Sequence, residues 1–297
     1  MKHFTTPAMF ILLLCTLFSC KQEQQQPEEN TVATDTIKTN EEHRIISLNG
    51  TITEIISALG HKDEIVGVDV TSGYPEDIKE SATDMGHTRS ISIESVMELK
   101  PTLILATSND ISPELREKME LSGVTTRIFD QEYSPEGTKK LIGQIATVLQ
   151  SDKAQELSNK IDEDLANVEQ LKLQPSVLFI YARGAGTLMV SGTNTPVDKV
   201  IALAGGKNVI TDFEDYKPLT AEALIQSNPD AILMFNSGIE SLGGPEGVMK
   251  IQGIEKTKAG KNKNIIAMDG TLLSGFGPRL GEAAVALNKK LGGNSAK

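Results

Sequence analysis

The sequence has no tryptophan, only four tyrosines, two cysteines and four histidines. Both cysteines, Cys15 and Cys20, fall within the first twenty residues. If the segment holding Cys15 is removed and Cys20 is modified, the mature chain has no disulfide, no thiolate zinc site and no cysteine nucleophile. Four histidines are too few for most zinc sites or catalytic triads, and neither H-E-x-x-H nor G-x-S-x-G occurs. Carboxylates are plentiful, but no motif pairs them, so the reading is of a protein that is not an enzyme. The stretch "RGAGTLMVSG" lacks the third glycine of a dinucleotide loop, where Met189 stands, and no Walker lysine-hydroxyl pair follows. Basic residues are also short: 29 against 40 acidic ones, a formal net charge of −11, which argues against nucleic-acid backbones as partners.

Long apolar runs are nearly absent too. One, "FTTPAMFILLLCTLFSC", follows Lys2 and His3 and is too short and interrupted to span a membrane. It ends in Leu17-Phe18-Ser19-Cys20, which resembles the lipobox of bacterial lipoproteins. The expectation is a signal peptide over 1–19, lipidation at Cys20, and export to the cell envelope on a lipid anchor. Residues 20–43 hold few large apolar side chains and cannot offset their ordering entropy by burial, so they read as a flexible tether. About 250 residues remain, enough for one large or two small domains.

What is present is alternation. "RIISLN", "IVGVD", "TLILAT" and "TTRIFD" are strand-like runs separated by helical or turn material, and "SVLFIYA", "LMVSG", "AILMFN" and "IIAMD" continue the pattern. This predicts an α/β fold of two Rossmann-like lobes with mainly parallel sheets. The halves echo each other. "SIESVMELKPTLIL" (92–105) matches "TAEALIQSNPDAIL" (220–233), with Glu94 to Glu222 and Pro101 to Pro229 both 128 residues apart. In each, a small polar residue opens a helix with an acid in its first turn, and a proline ends it before a buried strand. "EIISALGHKDEIVG" (54–67) echoes "KVIALAGGKNVIT" (199–211) at an offset of 145, from Gly60 to Gly205. The 17-residue difference marks an insertion in lobe one, in the loop that contains His87. Residues 134–174 carry apolar side chains at helical spacing with no internal proline, which predicts a single long helix joining lobe one (44–133) to lobe two (175–293). A cleft between such lobes is a usual place for a small ligand.

These stretches, with "YARGAGTLMVSGTNTPVDKVIALAGGKN" (181–208) and "GFGPRLGEAA" (275–284), resemble the haem-binding substrate proteins of bacterial ABC importers. That group belongs to the wider set carrying haem, cobalamin and iron-siderophores. The resemblance implies class III periplasmic-binding-protein architecture, a monomer, haem as transported ligand and no catalytic cofactor. Related haem binders usually show Gly-Tyr-x-Arg, with the tyrosine oxygen on iron; here the matching residues are Gly86, His87, Thr88 and Arg89. A lone loop histidine is ordinarily a solvated residue, but imidazole is a common haem-iron ligand, so His87 is the implied axial ligand. Arg89 then stands beside it, and Arg183 and Arg279 are further candidates for the ligand's carboxylates. Tyr181 and Tyr74 are candidates for the cleft lining, whereas His43 and His61 read as surface residues. The resemblance makes Glu94 and Glu222 the pair that docks on a permease dimer, one per lobe. Alternatives are a cobalamin or iron-siderophore carrier, to which the lack of tryptophan is unfavourable, and a haem-scavenging surface lipoprotein without a permease.

Overall fold

The strands that the sequence marks by β-branched runs form two separate sheets. The computed structural model describes residues 43–186 and 188–294; the expected signal segment, Cys20 and nearly all of the tether lie outside them. Lobe one alternates β1 (Ile45–Ser47), α1 (Gly50–Ala58), β2 (Ile65–Val68), α2 (Ile78–Ser81), β3 (Thr83–Asp84), α3 (Ile93–Glu98), β4 (Leu103–Thr107), α4 (Pro113–Leu121) and β5 (Thr125–Phe129). Its sheet has the order β3-β2-β1-β4-β5 and is parallel throughout. Alternate side chains of one strand feed opposite cores. Ile45, Leu103 and Leu105 pack with Ile52, Ile55 and Ile56 of α1, while Ile46, Ile104 and Ala106 pack with Val96 and Met119. A strand covered on both faces has no polar side, which is why these runs are continuously apolar.

The connection departs from the expected single helix. It is two helices, α5 (Pro135–Leu149) and α6 (Ala154–Ala166), broken where Gln150 takes a left-handed conformation at φ 55. No glycine or proline advertises the break, so the helical spacing reads as continuous across it. Helix α6 folds back on α5, and Lys139 of α5 reaches Asp162 of α6 at 2.8 Å. Leu141, Ile142, Ile145 and Ile161 close the lobe-one core.

Lobe two contains β6 (Ser176–Ala182), β7 (Leu188–Ser191), α7 (Pro196–Leu203), β8 (Lys207–Asn208), β9 (Tyr216–Pro218), α8 (Ala221–Ser227), β10 (Ala231–Phe235), α9 (Asn236–Ser241), α10 (Pro245–Met249), α11 (Lys258–Lys261), β11 (Ile265–Met268), α12 (Gly270–Ser274) and α13 (Leu280–Asn294). Its sheet runs β11-β10-β6-β7-β9, with β8 also on β6, and it is mixed. Strands β8, β10 and β11 continue the parallel set, but β7 and β9 are antiparallel additions. The short segment between β6 and β7 permits only a hairpin, because a parallel return needs a crossover of a dozen or more residues. Helix α13 crosses α6 closely at Gly281, where a Cβ would stand 2.4 Å from that of Asp164. Asn288 of α13 adds paired hydrogen bonds to the Glu169 backbone, at 2.9 and 3.1 Å.

The internal echo survives as geometry. Gly60 and Gly205 both end a helix with positive φ, at 96 and 80 degrees. The inserted residues of lobe one form α2 and the edge strand β3, and β3 leads directly into His87.

Candidate ligand-binding cleft

In open α/β sheets the ligand crevice lies beyond the carboxyl ends of the parallel strands. Here both sheets send those ends to one cavity of about 1340 Å³, larger than the roughly 300–1000 Å³ of ordinary small-molecule sites. Lobe one supplies Asn49 after β1, Thr71 after β2, His87 after β3, Asp110 after β4, and Gln131 and Tyr133 after β5. Lobe two supplies Tyr181 and Arg183 from the end of β6, Met189 from β7, Tyr216 from β9, and Phe235 from the end of β10.

His87 is held by its backbone. Gly86 turns the chain at φ 79, its N–H donates to Asp84 Oδ1 at 2.9 Å, and its carbonyl accepts from Val70 N at 2.8 Å. The His87 carbonyl then accepts from Ser90 N and Oγ at 2.8 and 2.9 Å. The imidazole makes no hydrogen bond among the described residues, so its nitrogen lone pair is uncommitted. Among the described residues it is the only histidine lining the cavity. His61 is instead half-buried and paired with Glu64 at 2.8 Å.

The two walls differ in chemistry. Lobe one offers amides and hydroxyls: Asn49 donates to Asp110 Oδ2 at 2.6 Å, and Thr107 also bonds Asp110. Behind Thr71, the buried Asp69 carboxylate accepts from Thr71 N and Oγ1 and from Ser72 Oγ. Burial raises the Asp69 pKa, with those hydrogen bonds opposing the rise. Lobe two offers an aromatic wall. Tyr181 stands edge-on to Phe235 at 6.1 Å between ring centroids and lies opposite Met189 in the β6–β7 ladder.

Tyr216 keeps its hydroxyl against the buried Ser191 and Thr195 while part of its ring stays open. Burial pushes its pKa up to about 12, against the pull of those two hydrogen bonds, and Tyr133 and Asp215 add to the rise. The folded state therefore holds this proton more tightly than the unfolded chain, whose phenol titrates near pH ~10. Stability contributed by the protonated Tyr216 should be lost as pH rises from about 10 to about 12. Phenolate absorbance should show a last ionisation near pH 12 that Tyr216→Phe removes; an unchanged curve would contradict the assignment.

Of the residues singled out in the sequence, the structure brings His87, Arg89, Tyr181 and Arg183 to the cavity wall. Tyr74 and Arg279 do not line it. They form a latch between the lobes, with the Arg279 guanidinium 3.4 Å above the Tyr74 ring and Nη2 2.8 Å from Glu54 Oε2. Arg279 N also donates to Glu54 Oε1 at 3.2 Å. Burial works against the Arg279 charge, yet the Glu54 carboxylate outweighs it and leaves the pKa raised. Neighbouring bonds extend the latch: Gln131 Nε2 donates to the Gly275 carbonyl at 2.9 Å, Thr51 bonds the same oxygen, and Thr138 donates to the Phe276 carbonyl at 3.1 Å. Glu94 and Glu222 sit in the first turns of α3 and α8, exposed and outside the cavity.

Tyr133, Met189, Tyr216 and Phe235 went unread in the sequence. The strand-end rule would have nominated Tyr133 and Phe235, each at or just after a parallel strand. Tyr216 lies on an exposed strand with no apolar run, and no sequence signal marks it. Among the described residues, no group of three or more His, Cys, Asp or Glu side chains is placed to hold a metal ion, and no helix is long and apolar enough to cross a membrane.

With this geometry in view, the periplasmic binding protein family matches residues 45–272. The chain belongs to that family. Its class III architecture is shared with the periplasmic haem-binding protein RhuT of Roseiflexus sp. RS-1, solved in apo form. RhuT is 35% identical with a TM-score of 0.81, over 85% of this chain and 99% of that one. An uncharacterised ABC transporter substrate-binding lipoprotein of Bacillus subtilis, YvrC, is 28% identical over 86% of this chain and 82% of its own. A vitamin B12-binding protein of Vibrio vulnificus is also 28% identical, over 80% of this chain and 85% of its own.

Proposed function

We propose that this periplasmic binding protein captures haem in the inter-lobe cleft and delivers it to an ABC importer, as an exported monomer anchored through lipidated Cys20. One observation carries the reading: among the described residues His87 is the one histidine on the cavity wall, and it stands there on a pinned turn with an uncommitted ring. A neutral imidazole is a competent axial ligand for haem iron, and the lobe-two wall of Tyr181 and Phe235 suits the face of a flat macrocycle. Arg89 and Arg183, exposed on the two lobes at the same cavity, suit two propionates. Glu94 and Glu222 are the permease contacts, and haem serves as cargo for iron acquisition.

Haemin titrated into the protein should shift its Soret band and saturate; an absorbance equal to the sum of the separate components would overturn haem capture. A second reading, cobalamin, is favoured by the amides of Asn49, Asn109 and Gln131 on the lobe-one wall. Calorimetric titration with cyanocobalamin separates the two, since a haem carrier should give no saturable heat. The double substitution Glu94→Ala with Glu222→Ala should leave haemin binding intact and reduce uptake at least about tenfold, because a truncated interfacial ion pair costs ~2–5 kcal/mol. Unchanged uptake would favour a scavenging lipoprotein that needs no permease.

A further inference from the structure

The repeat that relates Glu94 to Glu222 extends through whole helices, residue by residue. Ser92 and Thr220 cap them, accepting from Ser95 N at 3.2 Å and Ala223 N at 3.1 Å. Val96 and Leu224 are fully buried at equivalent places. Lys100 and Asn228 both turn left-handed, at φ 47 and 40, before the buried Pro101 and Pro229. Cap, buried residue and turn together fix how each short helix is rotated. The residue three positions after each glutamate must then share its outward face. Those residues are Met97 and Ile225, and each is 37% exposed.

A single exposed apolar residue needs no explanation. The matched pair is different, because solvent-facing neighbours at the same offset have diverged in chemistry: Glu98 stands against Gln226, and Lys100 against Asn228. An apolar side chain is retained beside the acid in both lobes. In lobe two the surface is also shaped. Gly253, at φ 99, brings its loop so close to α8 that a Cβ would stand 3.2 Å from Ile225 Cγ1. Beside it lies a hollow of about 500 Å³ lined by Glu222, Ile225, Met249 and Ile251. Neither Glu94 nor Glu222 has an ion-pair partner among the described residues.

We propose that Met97 and Ile225 are paired apolar anchors of the permease-docking surface. Each lobe thus presents an acid and an apolar side chain one turn apart. The partner that fits is a pair of like subunits, each bearing a cation beside an apolar contact. The inference rests on the docking role proposed for the two glutamates.

Both side chains lie outside the cleft, so Met97→Gln and Ile225→Gln should leave the haemin titration unchanged, with the thermal melt checking that each variant folds. Affinity for the purified permease–ATPase complex of the protein's own importer should fall about tenfold for each variant, and further for the double variant. Full affinity in the glutamine variants, with loss in Glu94→Ala and Glu222→Ala, would overturn the anchors and leave glutamate docking standing. Full affinity in all four would remove the docking reading itself. Sedimentation showing that the glutamine substitutions instead dissolve a self-dimer would reassign the face to a second copy of this chain.

Discussion

Haemin added to the His87→Ala protein should leave most of the Soret change unmade and bind at least about 100-fold more weakly. Groups that only support a metal ligand cost roughly 10–100-fold when removed, and His87 is argued to be the ligand itself. The substitution touches an exposed side chain whose ring holds nothing in place, so the thermal melt should not move. That separates lost ligation from lost folding. Weak residual binding is expected from the aromatic wall of Tyr181 and Phe235, which the variant keeps. His87→Tyr should recover tight haemin binding with a different spectrum, because a phenolate at the same turn can reach the same iron. If His87→Ala binds haemin with the parent's spectrum and affinity, another group holds the iron.

Glu54→Ala should destabilise the protein by about 3 kcal/mol, which for a body of this size lowers the melting temperature by roughly 6–12 °C. The side chains of Glu54 and Arg279 are only 5% and 19% exposed, so removing the acid strands a guanidinium away from water. Arg279 Nε already has no partner, so the lost carboxylate has no local substitute. Replacing both, as Glu54→Met with Arg279→Met, should recover most of the loss, because an apolar pair avoids the desolvation cost of two charges. A single variant melting within a degree of the parent would show that the latch contributes nothing. The same variant should weaken haemin binding, since the segment that Arg279 anchors carries Gly275 on the cavity wall. The latch ties α1 of lobe one to the segment before α13 of lobe two, so it sets the spacing of the walls that must close on one ligand.

Much of this was legible because it depends on local chemistry. Period-two and continuous apolar runs mark the strands, polar caps and left-handed turns mark the helix ends, and both recur at fixed offsets in two halves. The same offsets exposed the insertion that carries His87, and an insertion beside a strand end is a natural source of a cleft residue. The connecting segment was harder. Its apolar spacing continues across Gln150, and a left-handed glutamine is fixed by the packing of α6 on α5 and α13 rather than by its own preference. The mixed lobe-two sheet was also hidden, since strand direction follows from the closing turn and apolar content does not encode it.

The sequence by itself determined the two α/β halves, the position of the inserted histidine, and the matched acids on two short helices, because spacing and residue type carry that information. Only the tertiary structure decided which tyrosines and arginines face the cleft. Tyr74 and Arg279 looked like ligand contacts but form an inter-lobe latch with Glu54, while Tyr133 and Tyr216 passed unnoticed and line the wall. An aromatic or cationic side chain has the same local preferences in either role. Its role is set by which residue from the other half, more than two hundred positions away for Glu54 and Arg279, is packed against it.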